Sequence, residues 1–272
     1  MNSKDSTRKA RLNAQRQWSE NPCGDVPPPS EQYSRQHFEE IESQRYQFQP
    51  WMNDIFHFDA FAGKRVLEIG QGIGTDSIQF AKGGAECHAV DITDKHIELA
   101  RENFRSRGLS LTISKQDGVQ LNYPDDSFDA VYSFGVLHHI PDVDDVVKEI
   151  HRVLKKDGTL MLGLYYKWSA YHLFQLLIFR GLLKRKLFSI GYDGLLATIE
   201  TGADGKKIKP YVKLYSESSL RTLLGRFRDH DVAVRHLDVS HFLPVPPFLI
   251  SAGMVERLAD RMGWYVTCVA RK

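Results

Sequence analysis

The run Val66-Leu67-Glu68-Ile69-Gly70-Gln71-Gly72-Ile73-Gly74-Thr75-Asp76 restricts the fold more than any other stretch of the chain. An apolar strand pattern ends in three glycines at alternate positions, and a helical pattern begins directly after them. Alternate glycines let the backbone bend sharply and leave its N–H groups bare at a helix N-terminus, where a ligand can lie against main chain. Such a turn can also be a plain connection, but its position after a strand and before a helix is the one ligand binding requires. A dinucleotide fingerprint would put its third glycine where Thr75 stands, and a pyrophosphate would be repelled by Glu68 two residues ahead of the first glycine. A ligand carrying an ammonium and a sulfonium would tolerate or use that carboxylate.

The surrounding pattern extends this unit. Strand-like runs at residues 65–69, 86–90, 111–113, 129–133 and 159–165 alternate with helix-period runs. One of these, Val143, Val146, Val147, Ile150 and Val153, marks a helix with one buried stripe. The alternation predicts βαβ units and a parallel sheet with right-handed crossovers. Four regions follow: an N-terminal helical segment (1–60) contributing to a lid, a cofactor-binding core (61–165), a helical and loop insertion (166–215) and a C-terminal return to the sheet (216–272). Within the insertion, a helix through Leu187 is expected to give way to a loop holding Gly191, Gly194, Gly202, Gly205 and Pro210.

Composition narrows the function. Against 36 Lys plus Arg stand 34 Asp plus Glu, so no broad basic face argues for nucleic acid. The three cysteines are scattered, which supports neither a disulfide framework nor a metal motif, and a reducing, cytoplasmic setting fits. The basic start reads as a frayed helix better than as a transit segment, and it has no apolar run of a secretory signal. The apolar stretch 171–188 is too short and too charged to span a bilayer. Its Lys184, Arg185 and Lys186 are expected to be a solvated helix end, with peripheral membrane contact a secondary possibility.

Downstream of the glycine turn, Asp91 ends the second strand, where a carboxylate can accept from both hydroxyls of a ribose. Thr93 and Asp94 are better placed than Asp91 to cap the next helix. Asp117 and Gly118 follow the third strand, where a side-chain acceptor and a backbone N–H could read an adenine edge.

These residues, with the "VDIT" and "FDAVYSFGVLHHIPD" runs, closely resemble the class I S-adenosylmethionine-dependent methyltransferases, particularly the small-molecule group. The resemblance runs from a leader, Trp18-Ser19-Glu20-Asn21-Pro22-Cys23-Gly24, to about Leu164. It implies a doubly wound, Rossmann-like α/β fold with a seven-stranded sheet in the order 3-2-1-4-5-7-6 and an antiparallel last strand. It also implies that Glu68 and the backbone of Gly70, Gly72 and Gly74 hold the methionine part of S-adenosyl-L-methionine. Gln71, where cysteine is frequent, would offer only its backbone. Asp91 would hold the ribose, Ile92 pack on the adenine, Asp117 and Gly118 read its amine, and Ser133 and Phe134 close the floor near the sulfonium. S-adenosyl-L-homocysteine would be the product.

His138 and His139 fall in the loop that would face the methyl group, and His139 is the first candidate to orient or deprotonate the acceptor. The alternative is that one caps the helix starting near Asp142 while the other packs. Tyr33, Arg45, Tyr46, Trp51, Tyr165, Tyr166 and Trp168 are candidates for an aromatic pocket around a small acceptor, although aromatic stripes often form plain core. Arg45 could pair with a carboxylate of cofactor or substrate. The acceptor atom (O, N or S) and the oligomeric state are not encoded in these motifs, and no metal is expected. A macromolecular methyltransferase, an NAD-type oxidoreductase and a non-catalytic cofactor-binding relative are the alternatives.

Overall fold

The computed structural model describes residues 3–20, 32–201 and 210–272. Asn21 to Gly24 of the leader, together with Gly202 and Gly205, lie outside the described residues.

Helices α1 (Ser3–Glu20), α2 (Arg35–Phe48) and α3 (Met52–Phe56) precede the sheet. The core then runs β1 (Arg65–Ile69), α4 (Thr75–Lys82), β2 (Glu86–Asp91), α5 (Asp94–Ser106), β3 (Thr112–Lys115), β4 (Phe128–Phe134), α6 (Val143–Val153) and β5 (Leu154–Tyr165). A wide π-helix (Tyr171–Leu183) and α7 (Lys186–Thr201) form the insertion. The chain closes with α8 (Glu217–Leu223), β6 (Arg228–Arg235), α9 (Ala252–Met262) and β7 (Tyr265–Arg271). The seven strands stand in the order β3-β2-β1-β4-β5-β7-β6, parallel except for β7, which runs antiparallel to both neighbours. The expected class and order are therefore those of the molecule.

Strand alternation divides the interior into two apolar layers. Leu67, Ile69 and Val131 face the α6 stripe, with Val143, Val146, Val147, Ile150 and Val153 all buried there. Val66, Ala130 and Tyr132 face the opposite way, onto Phe56, Phe58, Ile78 and Phe80. Strand order reverses between β2-β1 and β4-β5, so the carboxyl ends of β1 and β4 splay and open a crevice at that switch point.

The insertion differs from expectation. Gly191 and Gly194 lie inside a helical stretch, Lys186–Thr201, and only Gly191 breaks it, with φ 70° and ψ 179°. Packing outweighs the glycine signal here, because Leu195 and Leu196 are buried against Leu176 of the π-helix. The β5 start is also earlier than the pattern suggests: the strand begins at Leu154, and Asp157 turns it with φ 62°.

One buried carboxylate joins three elements. Asp76, in the first turn of α4, accepts from Arg45 Nε and Nη2 of α2 at 2.7 and 2.5 Å. It also accepts from Tyr46 Oη at 2.7 Å and from Tyr132 Oη of β4 at 2.8 Å. Burial by itself would depress the Arg45 pKa, but the Asp76 carboxylate holds it well above the usual arginine value. Burial and the same carboxylate push both phenols upward, so they remain donors. Asp76→Ala is expected to cost about 3–5 kcal/mol, because it leaves a buried guanidinium without its counter-charge. A lowered urea midpoint at unchanged m-value checks this.

Candidate functional site

At the switch point lies a cavity of about 880 Å³, bordered by the β1–α4 turn, the end of β2, the residues after β3 and β4, and α1. Its size suits a nucleoside-scale ligand. Gly70, Gly72 and Gly74 all have positive φ, at 74°, 56° and 81°. A Cβ on Gly70 would lie 2.6 Å from the Val136 methyl carbons, so the turn there requires glycine in both backbone conformation and space. Gly74 caps α4 with no side-chain oxygen, which leaves the first N–H groups of that helix for a ligand. The buried Gln71 amide lines the cavity with neither Nε2 nor Oε1 partnered, so its side chain as well as its backbone is available.

The acids are distributed around this cradle. Glu68 is buried and accepts from Ser77 Oγ. Burial first, then the Asp76 carboxylate, raise its pKa well above the usual carboxylate value despite the opposing Ser77 and Arg45. Asp91 is 5% exposed at the end of β2. Its Oδ1 accepts from Thr93 N and Oγ1 at 2.8 and 3.0 Å, and its Oδ2 lies 3.2 Å from His96 Nδ1. Thr93 is the α5 cap, as its position suggested. Ile92, Asp117, Gly118 and Phe134 also line the cavity. Ser133 lies behind it and donates to Ile69 O at 2.9 Å, which ties β4 to the end of β1.

The two histidines diverge. His139 lines the cavity beside Trp18, Tyr165 and Glu200. Its Nδ1 donates to Tyr211 O at 2.9 Å, so in the neutral ring the lone pair is on Nε2. That Nε2 is 3.7 Å from Glu200 Oε1, and Tyr165 Oη donates to the same oxygen at 2.8 Å. His138 is fully buried with neither ring nitrogen partnered, and its ring stacks on Tyr165 at 3.8 Å. Burial and the adjacent His139 push its pKa far down, so it is neutral. Neither histidine caps α6. One potential metal-donor atom each of His138, His139 and Glu200 lies within 4.8 Å of the others, a grouping that no local pattern signals because Glu200 follows His139 by 61 residues.

Most of the expected acceptor residues lie elsewhere. Arg45 borders the cavity, but its guanidinium is engaged by Asp76 rather than offered to a ligand carboxylate, and Tyr46 is held by the same acid. Trp51 packs 6.0 Å from Phe134 and 6.1 Å from Tyr265, outside the lining. Tyr166 is a buried core residue, and Tyr33 packs against Phe38 beneath Lys95. Tyr165, also among the expected residues, does line the cavity, together with Tyr265, Phe48 and Glu200, while Trp168 is exposed outside the lining.

Helix α1 contributes a wall that motif reading missed. Arg11 Nη1 reaches Asp117 at 3.2 Å and Nη2 reaches Asp142 at 2.5 Å. Gln15 Nε2 donates to Ile92 O at 3.1 Å, and Trp18 packs 5.3 Å from His139. A polar helix with five basic residues carries little core signal, and only the pairing of Arg11 with two acids across the cleft gives it a place.

Residues 67–162 match a family model described as a methyltransferase domain. Over 105 residues the chain is 34% identical to 27-O-demethylrifamycin SV methyltransferase of Amycolatopsis mediterranei, covering 38% of this chain and 39% of that one. Over 109 residues it is 38% identical to sterol 24-C-methyltransferase erg6 of Aspergillus fumigatus, covering 39% and 28%. The chain thus spans less than half the length of the curated relatives it matches. Among solved structures, the [4+2]-cyclase SpnF superposes with a TM-score of 0.54 at 19% identity, covering 98% of this chain and 94% of that one, a likeness of fold. Residues 67–162 therefore match a methyltransferase domain, and S-adenosylmethionine is the cofactor that the sequence resemblance implies for it. The residues present fit it: a glycine cradle that a Cβ would fill, an orphaned Gln71 amide, and a buried acid at the end of β2.

Two outcomes follow. The folded state holds the Glu68 proton at pH values where the unfolded chain has lost it, so this stabilisation is full below about pH 4.3 and declines as pH rises toward the folded value. Glu68→Gln removes that slope, which urea midpoints of both proteins across pH would show as a variant gaining on the native chain with rising pH. Arg11→Ala opens the clasp on Asp117 and Asp142. Its donor dissociation rate is expected to rise about tenfold in stopped-flow measurements, with little change in melting temperature because the pair is partly exposed.

Proposed function

We propose that the chain is an S-adenosylmethionine-dependent methyltransferase acting on a small, largely apolar molecule. The Gly70–Gly74 turn, Gln71 and Glu68 hold the methionine end. Asp91 accepts from the ribose hydroxyls, Ile92 packs on the adenine, and Asp117 with Gly118 reads its amine. Phe134 closes the floor, while Ser133 acts from behind by fixing the end of β1. When bound, the cofactor supplies an electrophilic methyl carbon and leaves as a neutral thioether.

The observation that carries the acceptor side is the facing of His139 Nε2 and the Glu200 carboxylate across 3.7 Å in the wall of the cavity that holds the cradle. That gap is long for a direct hydrogen bond and leaves both groups able to grip one O–H, N–H or S–H of an acceptor. The Tyr211 carbonyl fixes the tautomer in which Nε2 can take the proton, and Glu200 stabilises the imidazolium that results. Alignment of the acceptor with the methyl carbon supplies most of the acceleration, and proton removal adds to it. Residues 1–60 serve as the lid through α1, and the 166–215 insertion supplies the acceptor wall through Glu200. The relatives named for a sterol and for a rifamycin support an extended, apolar acceptor, as do Tyr165, Tyr265 and Phe48 around the cavity. The buried free thiols of Cys87 and Cys268 suit a reducing, cytoplasmic compartment.

Turnover of a methyl-labelled donor with a panel of hydroxyl, amine and thiol acceptors tests this. His139→Ala is expected to lower kcat by about 10²–10⁴-fold for an acceptor that must lose a proton, with donor affinity unchanged, and Glu200→Gln to lower it less. Donor binding without transfer to any acceptor of the panel would overturn the reading, and undiminished kcat in His139→Ala would remove the base from it.

A further inference from the structure

The π-helix and α7 form a helical hairpin whose inner face is closed by Leu176, Leu195, Leu196 and Val212. Its tip is different. Leu182, Leu183 and Phe188 are 49%, 61% and 75% exposed, and Lys184, Arg185 and Lys186 lie between them. Arg185 takes a left-handed φ of 57°, which reverses the chain there and sets the basic trio among the apolar side chains. Six of the ten large apolar side chains exposed among the described residues fall between Trp168 and Tyr192, so the exposure is concentrated rather than scattered. From Gly158 to Tyr192 the sequence contains no Asp or Glu, in a chain whose total charges almost balance. The local charge is thus positive with nothing acidic on the hairpin tip to offset it.

We infer that this tip docks the protein on the surface of an anionic membrane, with Leu182, Leu183 and Phe188 entering the acyl boundary and the basic trio at the headgroups. Charge complementarity selects the occupant. Only one aromatic ring, Phe188, stands among the exposed apolar side chains of the tip, too few to form a stacking platform for successive bases, whereas apolar groups interleaved with Lys and Arg match an interface of hydrocarbon beneath phosphate. The attachment is peripheral: among the described residues no helix is long and apolar enough to cross a membrane. The inference does not depend on the methyl-transfer reading.

Co-sedimentation of the full chain with phosphatidylcholine vesicles, with and without about 30% phosphatidylglycerol, tests it. Binding to the anionic vesicles is expected to exceed binding to the neutral ones by about tenfold or more and to weaken with salt. The double variant Leu183→Ser with Phe188→Ser should lose about tenfold in vesicle affinity, and Lys184→Glu with Arg185→Glu should lose the anionic preference. Both should keep the native melting temperature and donor affinity, since these side chains are exposed and none of them lines the cavity. Equal partitioning to both vesicle types, or full binding by the serine variant, would overturn the inference. So would a native dimer in light scattering that the serine variant makes monomeric and that ignores vesicles, which would assign the tip to a second copy of the chain.

Discussion

The site depends on how one carboxylate is satisfied. Asp76 sits one residue into α4, directly after the glycine turn, and accepts four hydrogen bonds from a guanidinium and two phenols. An unpaired carboxylate at that depth would be prohibitively costly, so the donors must be present whenever the turn is formed. Two of the three donor side chains belong to α2 and one to β4. The arrangement therefore fixes the helical segment before the sheet, the start of α4 and the middle of the sheet in one register. The glycine backbone can then be permissive without being loose, because the residue just beyond it is held.

The same carboxylate sets the chemistry of its neighbour. Burial disfavours the charged form of Glu68, and the nearby Asp76 carboxylate adds to the effect, so Glu68 keeps its proton. A cavity bordered by Glu68, Asp91, Asp117 and Glu200 would otherwise present a dense negative field. Protonation of Glu68, the Arg11 pairing at Asp117 and the Thr93 and His96 contacts at Asp91 each reduce that field locally. What remains favours a ligand carrying positive charge over one carrying a pyrophosphate.

Much of the fold and half of the candidate site were legible in the sequence, for identifiable reasons. Strand runs and the α6 stripe are local patterns with short periods, and they placed five strands and the order of the sheet through the resemblance they carried. The glycine turn, Asp91, Asp117 and Phe134 were legible because each follows directly from the end of a strand. Arg45 and Tyr46 read as ligand-binding because a guanidinium or phenol near a cleft does so until its partner is known, and that partner, Asp76, lies 31 and 30 residues further along. Glu200 and Arg11 were invisible for the complementary reason: their roles exist only through contacts across 61 and 106 residues, to His139 and Asp117, and no local pattern encodes such a contact.

This division has a physical consequence for how such a chain can diversify. The cradle is fixed by backbone conformations and buried charge that tolerate little substitution, whereas the insertion reaches the cavity through the side chain of Glu200. Helix α7 begins beside the exposed tip at Lys186, bends at Gly191 and reaches the cavity at Glu200. Its inner residues are anchored by packing against the π-helix, so its two ends can change independently of each other and of the sheet. Glu200 and the exposed tip thus belong to one insertion that makes no contribution to the glycine cradle, and substitutions on it leave the buried charge network around Asp76 untouched.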